Sequence, residues 1–77
     1  MNKTINALCR GLAEEAEAIQ KNTDDIAFIG EEDLEVIALL KDIRYDQLEH
    51  IQKLALALTK ALIETESEQT DDGGDEV

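Results

Sequence analysis

Apolar residues recur at steps of three and four on both sides of Gly30, and this spacing constrains the fold more than any other feature of the sequence. The stripe that precedes the glycine consists of Ile5, Leu8, Leu12, Ile19, Ile26 and Ile29. It predicts an α-helix from about residue 4 to residue 28, with Thr4 as the N-cap. Gly30 occupies the position just past the helix end, where a left-handed residue is needed.

A second helix is predicted from about residue 31 to residue 66, because nothing in that segment breaks the helical pattern. Three acidic residues at its start suit the positive end of the helix dipole. Its main stripe is predicted to consist of Val36, Leu40, Ile43, Gln47, His50, Leu54, Ala57 and Ala61. Other apolar residues, such as Ile37, Leu48 and Ile51, lie off this stripe. A helix with so many apolar sides in a small chain indicates neighbours from another copy.

The short connection at Gly30 predicts that the two helices are antiparallel neighbours. A 77-residue chain buries only about 60% of its unfolded surface when it folds alone. Its single cysteine, Cys9, excludes an intrachain disulfide, so oligomerisation is the remaining common route to stability. We therefore predict an all-α fold, an antiparallel two-helix hairpin over residues 1–66 that oligomerises into a four-helix bundle.

Charge narrows the classes of partner. The chain has 19 acidic and 7 basic residues, a net charge of −12. Such a surface repels phosphate groups and anionic lipids, so we expect neither nucleic acid nor a membrane as partner. The expected partner is another copy of the chain, because the hairpin is small and its second helix is broadly apolar. Residues 67–77 are predicted to be a disordered acidic tail, with binding to a partner protein as the alternative. No signal peptide is readable, so a cytoplasmic location with a reduced Cys9 is expected.

Polar residues interrupt both stripes near the middle of the helices. Glu15 and Asn22 take stripe positions in the first helix, and Gln47 and His50 take them in the second. In an antiparallel hairpin these levels face each other, so Glu15, Gln47 and His50 are predicted to share one layer between subunits. A buried carboxylate needs a partner. The layer is therefore interpreted either as a hydrogen-bonded network of these side chains or as a site for a divalent metal.

Two short segments around these residues resemble a known family. "EAEAI" (Glu15–Ile19) is similar to a Glu-x-x-Ala stretch, and "IRYDQLEHIQKL" (Ile43–Leu54) is similar to Ile-x-x-(Asp/Glu)-Glu-x-x-His. Both stretches occur in the small hairpin members of the ferritin-like superfamily, found in bacterial and phage genomes and in encapsulated ferritins. The resemblance implies that Glu15 is a bridging carboxylate and His50 an imidazole ligand of iron. Where that family has glutamate, this chain has Gln47, a neutral amide and a weak ligand.

Two functions follow from these interpretations. The first is a small homo-oligomeric structural or interaction protein, of the accessory type that phage and mobile elements encode, with a degenerate ferritin-like core. In a phage its location would be the host cytoplasm or the virion. The alternative is a ferritin-like protein of the ferroxidase type, which binds iron or another divalent metal between subunits through Glu15, Gln47 and His50.

Overall fold

The computed structural model contains two α-helices, α1 (Lys3–Ile29) and α2 (Leu34–Glu76), which pack against each other in antiparallel directions. It describes the backbone of residues 2–76 and the side chains of residues 2–66. No strand occurs within that backbone range. The predicted all-α helical hairpin is thus confirmed. The tail predicted for residues 67–77 falls outside the residues whose side chains are described.

α1 begins and ends at residues that satisfy its free backbone groups. The Asn2 side-chain oxygen accepts the N–H groups of Thr4, at 2.8 Å, and Ile5, at 3.2 Å. Asn2 is therefore the N-cap, and Thr4, the predicted cap, lies inside the first turn. At the other end Gly30 has a φ of 59° and donates its N–H to the Ile26 carbonyl oxygen at 3.0 Å. A side chain is strained at this φ, which accounts for glycine here.

The connection between the helices runs from Gly30 to Asp33. Asp33 caps α2, because its side chain accepts the Val36 N–H at 3.2 Å and its carbonyl oxygen accepts the Ile37 N–H at 3.0 Å. Glu31 and Glu32 consequently lie in the connection, outside the first turn in which they were predicted. Their charges still stand beside the N-terminus of α2, where the helix dipole favours them.

The apolar stripe predicted for α1 faces α2. Each of its members is buried or half-buried, and Ile5 is the most buried of them at 9% exposure. The polar residues in the same stripe behave alike: Glu15 is half-buried and Asn22 is 6% exposed. The predicted apolar stripe of α1 is confirmed.

The stripe predicted for α2 is right in part. Five of its eight members are half-buried, namely Val36, Leu40, Gln47, Leu54 and Ala61. Ile43, His50 and Ala57 are exposed. The residues that fill the intervening positions of the interface are Ile37, Arg44, Ile51 and Leu58. α2 is therefore turned about its axis relative to the prediction, so that the row through Ile37 and Ile51 contacts α1 and the row through Ile43 lies beside the interface.

The hairpin is a narrow rod, 65 × 16 × 16 Å. Two helices side by side leave each helix with most of its circumference uncovered. Over the part of the chain that the structure describes, neither helix has an apolar stretch long enough to cross a membrane.

Candidate functional site

Glu15 and His50 meet at the middle of the hairpin. The Oε2 atom of Glu15, on α1, lies 3.2 Å from Nδ1 of His50, on α2. The side chains are 27% and 53% exposed, so the pair lies at the edge of the helix–helix interface. The predicted meeting of Glu15 and His50 at one level is therefore seen within a single chain. In the single hairpin His50 is exposed on the flank of α2, and the layer between subunits stays a prediction.

The contact decides how the His50 ring is oriented. An ionised carboxylate only accepts hydrogen bonds, so Nδ1 of His50 carries the hydrogen that Glu15 Oε2 accepts. The second ring nitrogen, Nε2, then has a lone pair in the neutral ring and a hydrogen in the protonated ring. Glu15 thereby fixes the direction in which Nε2 points and leaves it available for a ligand or another chain.

Gln47 lies one turn before His50 on α2 and is half-buried in the interface. Its Oε1 atom is buried and has no hydrogen-bond partner. A buried amide oxygen without a donor costs about 1–3 kcal/mol. Glu15 and His50 are the members of the predicted hydrogen-bonded network that contact each other, and no hydrogen bond from Gln47 to either is present among the described side chains.

Small residues of α1 surround the pair. Gly11 stands one turn before Glu15, and a Cβ atom at Gly11 would lie 3.4 Å from both terminal methyl carbons of Leu54. Gly11 and Ala18 flank Glu15, so the side chains on this side of α1 are small. We call the surface formed by Gly11, Glu15, Ala18, Ile43, Gln47 and His50 the polar-pair face.

Two further polar contacts cross the interface nearer the connection. Asn22 Nδ2 donates to the Leu40 carbonyl oxygen at 2.9 Å, and the Asn22 Oδ1 atom is buried with no partner. Arg44 Nη1 donates to Thr23 Oγ1 at 3.1 Å. Asn22 was among the predicted polar stripe residues, but the contact between Arg44 and Thr23 was not predicted. The signal for it in the sequence is the position of Arg44, four residues after Leu40 and three before Gln47.

A single hairpin brings two potential metal ligands together at this level, Glu15 and His50. A divalent metal in a protein is usually held by four or more ligands. Among the residues with described side chains, no group of three or more His, Cys, Asp or Glu side chains is arranged to hold a metal ion.

Comparisons with known proteins found no match to the chain, whether with protein-family models, curated proteins or solved structures. The resemblance to ferritin-like proteins therefore stays a prediction based on the two short segments.

Proposed function

We propose that the protein is a small homo-oligomeric interaction protein of the cytoplasm, whose hairpins pair into a four-helix bundle. The observation that carries this proposal is the poor coverage of apolar side chains in one chain. Among the described residues, only Ile5 and Ile37 are buried hydrophobic residues, while nine large ones are exposed. Full burial of one such side chain contributes about 1.5–3 kcal/mol, so association recovers stability that a lone hairpin lacks.

The polar-pair face is the surface through which two hairpins pair. Two copies related by a two-fold axis bring two Glu15–His50 pairs together, with Gln47 of each copy between its own two helices in the same layer. Polar residues at single core positions are known to select register and subunit number at some cost in stability. Gln47 serves that purpose in this proposal.

The test replaces one exposed apolar residue on the polar-pair face and one outside it. Ile43→Glu inserts a charge into the face, and Leu56→Glu, at a 73% exposed position about 140° from Ile43 around α2, is the matched control. Sedimentation velocity at micromolar concentration is expected to give a mass above one chain for the wild type and for Leu56→Glu, and a lower mass for Ile43→Glu. A wild-type mass of a single chain, 8.5 kDa, would contradict the proposal.

An inter-subunit iron site is the second candidate function, and the 3.2 Å approach of Glu15 to His50 favours it. Metal-bound histidines commonly donate their other ring N–H to a carboxylate, as His50 does here. Elemental analysis of purified wild type and His50→Ala tests this candidate, with more iron expected in the wild type. Gln47→Glu is expected to raise the iron content further, because it restores the charged ligand of the family motif. Equal, negligible metal in all three proteins would exclude the site.

A further inference from the structure

A second uncovered surface lies on the other side of the hairpin from His50. Leu48 is two residues from His50, and at 100° per residue the two side chains point about 160° apart around α2. The contact between Arg44 and Thr23 marks the same side of the interface as Leu48, since Arg44 precedes Leu48 by one turn. We call this surface the neutral face and define it by Cys9, Ala16, Leu34, Tyr45, Leu48 and Leu62.

Large apolar side chains of α2 dominate the neutral face. Leu34, Leu48 and Leu62 follow one another at steps of fourteen residues, and so stand in one row along the helix. They are 69%, 49% and 47% exposed, and Tyr45, beside Leu48, is 65% exposed. On the other side of α2 the comparable residues are Ile43, at 41%, and Leu39, one turn before it, at 57%. The neutral face is thus the larger apolar surface of the hairpin.

The α1 half of the neutral face is built from small side chains. Cys9 and Ala16 are exposed there, and they stand at a spacing of seven residues, in one row with Thr23. A row of large side chains on α2 therefore lies beside a row of small side chains on α1. Such a face is self-complementary, because a two-fold axis places the α2 row of each copy over the α1 row of the other. Isologous interfaces of this kind are the commonest in homo-oligomers.

The charge distribution favours a second copy of the chain as the partner that covers the neutral face. In the row from Leu34 to Leu62, Lys41 is the one charged residue at seven-residue spacing. Acidic residues with described side chains stand instead on the outer sides of both helices, as at Glu17 and Glu49. Two copies repel each other along those outer sides, whereas their neutral faces meet without that cost. A basic partner protein would be drawn to the outer sides instead.

The area of the neutral face suits a stable contact. The 27 residues of α1 rise about 40 Å, and with a hairpin width of 16 Å each side presents roughly 600 Å² in projection. A standard interface buries about 800 Å² of accessible surface per partner, and the accessible surface of a corrugated face exceeds its projection.

We propose that the neutral face binds a second copy of this chain, independently of the polar-pair face. With both faces occupied, the hairpins form an assembly of four or more chains. The proposal goes beyond the pairing described above and does not depend on it.

The experiment compares Leu48→Glu with Ile43→Glu, two changes of an exposed apolar residue to glutamate on the same helix. Circular dichroism checks that both variants stay helical, and sedimentation velocity at one protein concentration gives their masses. The wild type is expected to contain four or more chains, and Leu48→Glu fewer. An unchanged mass for Leu48→Glu overturns the neutral-face contact. It leaves the polar-pair contact standing if Ile43→Glu has lowered the mass. A two-chain wild type that only Leu48→Glu dissociates supports the neutral face and overturns the polar-pair contact.

Cys9 supplies a second readout on the same face. Its thiol is exposed in the lone hairpin, so coverage by a second copy slows its alkylation by N-ethylmaleimide. At a concentration well above the dissociation constant we expect alkylation about tenfold slower in the wild type than in Leu48→Glu, following the fraction of uncovered chain. Ile43→Glu should retain slow alkylation. Equal rates in the wild type and Leu48→Glu would overturn the proposal.

Discussion

α1 carries its large apolar side chains in one row against α2, whereas α2 carries them on several sides. In α1 the one large apolar side chain found exposed is Phe28, next to the connection. The corresponding set in α2 consists of Leu34, Leu39, Ile43, Tyr45, Leu48, Leu56, Leu62 and Ile63. A single neighbour therefore satisfies α1 but not α2. In the proposed contacts between copies, the large apolar side chains therefore come from α2, and α1 contributes small ones.

The largest change in stability is expected when a side chain of α2 that contacts α1 is removed, compared with one that points away from α1. Ile37→Ala removes a side chain that is 9% exposed against α1, and we expect it to lower the free energy of unfolding by about 2–4 kcal/mol. Leu39→Ala, at a site that is 57% exposed, should cost less than about 0.5 kcal/mol. Urea unfolding followed by circular dichroism at one protein concentration measures both. Equal losses would remove the distinction between the two sides of α2.

Ile43→Ala makes the same comparison sharper. Ile43 belongs to the polar-pair face, so its loss of stability should grow as the protein concentration rises, because association contributes more. The loss from Ile37→Ala should stay constant. If Ile43→Ala is the costlier change at low concentration, α2 uses the row through Ile43 against α1, and the orientation described above is wrong.

Substitution of the two glycines of the hairpin, Gly11 within α1 and Gly30 at its end, is expected to change stability in opposite directions. Gly30→Ala places a side chain at a φ of 59° and should cost about 1 kcal/mol. Gly11→Ala improves helix propensity by up to about 1 kcal/mol, and its Cβ would lie at ordinary contact distance, 3.4 Å, from Leu54. Thermal unfolding of both variants measures the difference. Destabilisation by Gly11→Ala would show that α1 and α2 approach each other too closely there for a methyl group.

The smallest effect should come from Glu15→Gln. The pair with His50 is partly exposed, and pairs of this kind contribute about 0–1 kcal/mol, less at high salt. Glu14→Gln changes the net charge equally at the neighbouring exposed position and is the control. We expect Glu15→Gln to be the more destabilising at low ionic strength and the two to become equal in concentrated salt. A difference that survives salt would point to packing around Glu15, not to its charge.

The number of apolar rows on each helix also explains how well its orientation could be predicted from the sequence. α1 has one apolar row, so its orientation could be predicted from spacing alone. α2 has two competing rows, and the row that in fact contacts α1 contains a charged residue, Arg44. The structure accommodates Arg44 because its guanidinium reaches Thr23 on the other helix. That contact joins residues far apart in sequence, and spacing along one helix does not reveal it.

The candidate site was predictable to a similar extent. Mid-helix positions were enough to bring Glu15 and His50 to one level. Their exposure was not predicted, because it depends on which row of α2 faces α1. The unpaired oxygen of Gln47 depends on the side-chain packing of both helices and has no signal in the sequence.

The short connection from Gly30 to Asp33 determines the order of events when the chain folds. The contact between Asn22 and Leu40 lies close to that connection, so its formation closes only a small loop and costs little chain entropy. Contacts farther from the turn then form in succession, and chains dominated by local contacts fold fast. Hairpin closure is a unimolecular step. In the proposed assembly the encounter of two hairpins is bimolecular, so its rate is expected to increase with protein concentration.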